Sequence, residues 1–144
     1  MARSDFRFHF KKRVRYAEID GQKVVFNSRY LEYFDIGMTE YWRAVGAHEQ
    51  FPDGTPEFHV ARSEVNFRAP ILYDEEIDIC ARCERVGRSS MTFALEIHGA
   101  GKEDLRADGI LVNVHVAEAQ GAVSPVPEIF LKLFEEFEGR SFRS

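Results

Sequence analysis

Apolar residues open the chain at every second position. Phe6, Phe8 and Phe10 alternate with polar neighbours, and Val14 and Tyr16 keep the same parity, so the pattern predicts a first strand through "FRFHFKKRVRYAEI". The turn "DGQK" follows, with Gly21 as its flexible residue. From Asn27 or Ser28 the period changes. Tyr30, Phe34, Met38 and Trp42 recur every four residues, with Tyr33, Gly37, Tyr41 and Val45 beside them, which predicts an apolar stripe on a helix of about five turns. Asn27 and Ser28 both suit its N-cap. Prolines and glycines in "VGAHEQFPDGTPEF" end it. Four more strands are expected with no helix between them, at 58–69, 75–86, 90–99 and 105–118. In the third of these Met91, Phe93, Leu95 and Ile97 alternate with Thr92, Ala94, Glu96 and His98, the pattern of half-buried antiparallel strands. "PVPEIFLKLFEEFEG" closes the chain as a short amphipathic helix with Pro127 near its first turn.

The sum is an α+β chain: one strand, one long helix, four strands and a terminal helix. A helix with so aromatic a stripe must be wrapped by the sheet. A lone curled sheet leaves its outer face or its edges for partners to cover, so a homo-oligomer is expected. At 144 residues, without repeats or linker-like segments, residues 1–144 form a single domain. Thirteen Phe in so short a chain add aromatic surface that suits an oligomer interface or an apolar ligand pocket. A formal charge of -5 argues against nucleic acid as the main partner and leaves room for a local basic pocket for a phosphorylated ligand. No apolar run approaches the roughly 20 residues that span a bilayer, so no membrane insertion is expected. The N-terminal stretch lacks the apolar core of a secretion signal, and two cysteines fit a reducing compartment, so the expected location is cytoplasmic.

Those cysteines form "CARC" at Cys80 to Cys83. Within a strand, residues three apart project from opposite faces, which predicts diverging sulfurs and neither a redox pair nor a zinc site. The five histidines show no paired metal spacing, and no metal or separate cofactor is expected. His59 and His115 are the two that a cleft could hold.

Asp20, in "YAEIDGQKVVFNSRY", stands where a strand hands over to a helix. Taken alone it is a turn or capping residue. Its surroundings resemble the hotdog-fold acyl-CoA thioesterases of the 4-hydroxybenzoyl-CoA thioesterase family. Those place an Asp after the first strand, a Gly three residues on, a Val-rich step and a Tyr ten residues after the Asp. Asp20, Val24, Val25 and Tyr30 stand there in this chain. "VNFRAPILYDEEIDI", "RVGRSSMTFALEI" and "PVPEIF" fall in the expected order, so the resemblance extends along nearly the whole sequence. Two positions depart from it: Lys23 replaces the usual Gly, and Asn27 stands where a bacterial branch often has His.

The resemblance implies a curled five-stranded antiparallel sheet around one central helix, and an acyl-CoA thioester hydrolase. Asp20 would then attack the thioester carbonyl or activate a water. The free amides of a helix N-terminus suit a developing oxyanion, which nominates the backbone near Asn27. The Asn27 side chain would cap the helix or orient Asp20 or a water, and Tyr16 would line the same end of the strand. Tyr30 fits the core stripe better than the site. The turn "GRSS" would meet the nucleotide end of CoA, with Arg88 as the cation and Gly87 and Ser89 as backbone donors; otherwise it is a plain hairpin with a solvated arginine. Family members often build each site across a dimer interface, so a homodimer or homotetramer is expected. The rival from another class is a non-hydrolytic module that binds acyl-CoA or acyl groups on a carrier protein. A hotdog dehydratase would need a His and Asp pair, and none stands near the helix start.

Overall fold

The computed structural model describes residues 2–52, 56–117 and 121–142. Strand β1 (Phe8–Arg13) leads to the helix α1 (Arg29–Ala44), and β2 (Phe58–Phe67), β3 (Glu76–Val86), β4 (Ser90–Gly99), β5 (Leu105–His115) and the helix α2 (Glu128–Glu138) follow. The strands form one antiparallel sheet in the order β1-β3-β4-β5-β2. Register puts Ile77, Ile79, Ala81, Phe93, Leu95, Ile97, Leu111 and Ala107 on one face, and all belong to the core around α1. The buried stripe of α1 is Tyr30, Tyr33, Phe34, Gly37, Met38, Tyr41 and Trp42, as the four-residue period predicts.

Gly37 explains how close the helix lies to the sheet. A Cβ there would stand 2.4 Å from the Ile79 Cγ2. Under Phe34 the sheet has Gly109, where a Cβ would stand 2.8 Å from the Phe34 ring and 1.8 Å from the Glu64 carbonyl oxygen. The helix and sheet therefore touch through two missing side chains. At the other end, α2 closes the core: Tyr41 stacks on Phe134 with ring centroids 5.5 Å apart, and Trp42 lies 5.4 Å from Phe130.

Three local expectations are corrected. The first strand is shorter than its alternation, because Tyr16 to Glu18 form a 3-10 turn. Glu18 there receives hydrogen bonds from the Lys12 ammonium and the Tyr33 hydroxyl, contacts that periodicity cannot register. Phe6 also leaves the strand and packs with Cys80 and Ala94 on the outer face of the sheet. In β5, where Ile110, Val112 and Val114 alternate with Gly109, Leu111 and Asn113, the latter set faces α1 and the former stays half-buried outside. Finally, Ser28 takes the N-cap position of α1 in a helical conformation and makes no side-chain cap bond, and Asn27 makes none either.

The two cysteines diverge as expected. Cys83 lies in the core beside α1 and Cys80 on the opposite face, both free and fully buried. Burial pushes the Cys80 thiol up to about 12.

Candidate active site

The 3-10 turn delivers the chain into a tight loop held by its own backbone bonds. The Asp20 amide donates to the Val24 carbonyl at 2.9 Å, and the Lys23 amide donates to the Asp20 carbonyl at 3.0 Å. A second segment is stitched alongside: Val25 donates to Ile71 at 2.8 Å, Tyr73 donates to Lys23 at 3.1 Å, and Val24 bridges Leu72. This stitching brings Tyr73, some fifty positions away, next to the loop. Together Tyr16, Ile19, Asp20, Gly21, Lys23 and Tyr73 line a cleft of about 360 Å³.

Asp20 is half-buried in that cleft wall. Its Oδ1 accepts the Gln22 amide at 2.8 Å, a local turn bond that fixes the carboxylate, while Oδ2 has no partner among the described residues. Tyr16 is 78% exposed and meets Tyr73 edge to face, with centroids 6.0 Å apart, so the two phenols form the rim.

Glu18, which the sequence reading passed over, anchors this loop. Its carboxylate takes the Lys12 ammonium at 2.9 Å and the Tyr33 hydroxyl of α1. Burial pushes its carboxyl up, but the hydrogen bonds from Tyr33, Lys12 and the Arg15 amide outweigh burial and hold it below the ordinary value. Burial, with the Glu18 bond, pushes the Tyr33 phenol far above its ordinary range. Glu18 has only one sequence signal, the Lys12 that precedes it by six residues.

Asn27 does not line the Asp20 cleft. It is exposed, its carbonyl accepts the Tyr30 amide, and the Phe26 carbonyl accepts the Arg29 amide at 2.9 Å. The amides of Asn27 and Ser28 donate to no acceptor among the described residues. Tyr30 is buried and packs edge to face on Phe67 at 4.8 Å, a core position as expected.

Gly87, Arg88 and Ser89 form the turn from β3 to β4. The Gly87 amide donates to the Ser90 carbonyl at 2.8 Å, so the expected free donor at Gly87 is used by the turn itself. The Arg88 and Ser89 carbonyls accept the Val126 and His115 amides, each at 2.8 Å. Gly87 and Arg88 line a depression of about 330 Å³ with Val86, Pro125, Val126 and Glu128, and Ser89 stands outside it. Arg88 is exposed and makes no ion pair among the described residues. The Asp20 cleft and this turn lie at opposite ends of β3, whose extended length puts them on the order of 30 Å apart within one chain.

His59 is exposed, and His115 packs 5.1 Å from Phe58; neither lines the Asp20 cleft. Among the described residues no group of three or more His, Cys, Asp or Glu could hold a metal ion. Among them, too, no helix is long and apolar enough to cross a membrane.

A five-stranded antiparallel sheet curled around one long helix, with a carboxylate in the loop before that helix, is the hotdog arrangement that the sequence resemblance implies. The chain belongs to the thioesterase superfamily, whose family profile matches residues 22–105, a span that begins two residues after Asp20 and includes Asn27 and the Gly87–Ser89 turn. A thioesterase from Thermus thermophilus, solved with coenzyme A and Zn, is 26% identical with a TM-score of 0.79 over 94% of this chain and 97% of that one. A Pseudomonas aeruginosa protein superposes with a TM-score of 0.84 at 21% identity, over 99% and 98% of the two chains. A 1,4-dihydroxy-2-naphthoyl-CoA thioesterase from Synechocystis gives 0.77 at 16% identity, over 88% and 94%. These last two show likeness of fold.

Proposed function

We propose that the protein hydrolyses an acyl-CoA thioester to free CoA and a carboxylic acid, with Asp20 as the reacting carboxylate. The observation that carries this reading is the state of Asp20: one oxygen is held by the Gln22 amide, the other has no partner among the described residues, and the residue lines a cleft. An oriented carboxylate with one free oxygen has two routes. Oδ2 attacks the thioester carbon, the C–S bond breaks, CoA leaves as the thiolate, and water then cleaves the mixed anhydride. Alternatively Oδ2 takes a proton from a water as that water attacks. In both routes the proposed oxyanion donors are the Asn27 and Ser28 amides, which donate to no acceptor among the described residues but stand outside the Asp20 cleft of a single copy.

The separation along β3 makes a single copy unable to offer both Asp20 and Arg88 to one acyl-CoA. A second copy resolves this. Strand β2 is an open edge of the sheet, with exposed Val60 and Phe67. Antiparallel pairing of two β2 edges would set the Phe67 end of one copy, which touches Tyr30 at the start of α1, beside the Phe58 end of the other. The site is then shared, with Arg88 serving the partner's Asp20. CoA bound to the Thermus thermophilus thioesterase supports the ligand class.

The experiment is thiol release from a panel of short, long and aromatic acyl-CoAs. Release by the wild type, reduced by at least about a hundredfold in Asp20→Asn, is the expected result. Undiminished release in that variant would remove Asp20 from the chemistry. Binding without release from any thioester would favour the non-hydrolytic module, a reading to which the position of Asn27 outside the Asp20 cleft lends weight.

A further inference from the structure

Lys23 carries an observation that hydrolysis alone does not use. Only Lys23 (φ 65°) and Asp74 (φ 66°) are left-handed non-glycine residues among the described residues, and their segments are bonded to each other beside the Asp20 cleft. The turn would accept glycine with less strain, yet it holds a long cationic side chain. Lys23 is among the residues that line the cleft.

The carboxylates flanking the cleft are otherwise paired. Glu18 is taken by Lys12, Asp74 by Arg13 at 3.6 Å, and Glu75 by Arg106. Two lining charges are left: the Asp20 carboxylate and the Lys23 ammonium. Neither makes an ion pair among the described residues, with each other or with anything else. Asp20 and Lys23 thus line one cavity without pairing with each other. The space between them suits a molecule with an electrophilic carbon for Asp20 and an anion for Lys23. The lining also disfavours a long aliphatic chain, because Ile19 is its only purely aliphatic side chain beside two phenols and two charges. Its volume of about 360 Å³ is near the small end of ligand pockets.

We propose that Lys23 is a specificity-determining residue that selects thioesters whose acyl group ends in its own carboxylate, the CoA half-thioesters of short dicarboxylic acids. This rests on the acyl-CoA reading above and names the substrate class of the same site. Without Lys23, the Asp20 carboxylate would repel such a group across the cleft. With it, the acyl anion gains a charge-assisted partner, and a plain alkyl acyl group gains nothing.

The test uses two thioether analogues of CoA that cannot be hydrolysed, S-butyl-CoA and S-(3-carboxypropyl)-CoA, titrated calorimetrically into the full-length protein. The carboxylated analogue should bind the wild type about fivefold more tightly or better, the scale of a partly exposed charge pair. Lys23→Asn tolerates a left-handed backbone and removes the charge, and should bring the two analogues to within about twofold of each other. Lys23→Arg should keep the preference. Equal binding of the two analogues by the wild type overturns the proposal. So does an equal loss for both analogues in Lys23→Asn, which would place Lys23 against the shared CoA portion. The preference is read without turnover. A protein that shows it and releases no thiol would keep Lys23 in this role while the hydrolase reading fails.

Discussion

Tyr41 does two jobs with one hydroxyl deep in the core. It donates to Glu138 Oε2 at 2.6 Å and accepts the Cys83 amide at 3.0 Å, tying α1 to both α2 and β3. Burial, with the Glu138 bond, pushes its phenol far above the ordinary range, so it stays protonated at any working pH. Tyr41→Phe would strand a buried amide and a buried carboxylate, and chemical denaturation should show a loss of about 1–3 kcal/mol. Charged networks set the acid limit. The hydrogen bond from Arg106 outweighs burial and holds Glu75 below its ordinary value; Arg106 likewise lowers Asp104. At Asp78 burial pushes the carboxyl up, but the Gly101 amide and the Arg3 guanidinium outweigh it. Groups depressed in the folded state stabilise it above their unfolded values and lose that contribution as pH falls through the folded ones. The melting temperature should therefore hold from about pH 7 to about pH 5 and fall steadily below about pH 4, with a shallower fall in Arg106→Gln.

At the scale of elements, α1 was legible in the sequence and its surroundings less so. The four-residue stripe named each buried position because tertiary contact and local period agree there. The tail of β1 failed because Glu18 is fixed by Tyr33 and Lys12, partners that alternation does not encode. Phe6 kept the strand's parity on paper but folds over the opposite face to cover Cys80. For β5, apolar alternation marked the strand but not its inward face, since Gly109 lies inside for reasons of space under α1 and Asn113 lies inside against the Met38 sulfur of that helix. The aromatic stack between α1 and α2 gives a direct check. Phe134 is fully buried against Tyr41, Trp42, Phe93 and Phe130. Phe134→Ala should cost about 3–5 kcal/mol in urea unfolding.

For the whole molecule, the distribution of the site is the informative property. Asp20 became a candidate because the family resemblance opens on it, and Arg88 because its turn falls in the expected order. The cleft itself was not legible. Tyr73 and Lys23 meet through a backbone bond between distant segments, and no local pattern reports it. Nor does the sequence state that the candidate acid and the candidate CoA cation stand at opposite ends of β3. That distance makes a second copy part of the proposed function. The wild type is expected to sediment as a dimer or a tetramer. Val60→Glu on the open β2 edge should weaken that association by about tenfold or more in ultracentrifugation, and thiol release should fall with it.

The contacts at Gly37 and Gly109 have a bearing on how such a scaffold changes its chemistry. A rod wedged onto its bed through two bare backbone positions has no slack to slide or tilt. Adapting the cavity to a bulkier cargo would then fall to the loops at 16–26 and 71–75, which carry Tyr16, Lys23 and Tyr73. Libraries confined to those two segments should yield altered selectivity in soluble variants, whereas exchanges along the wedge would mostly be lost to misfolding.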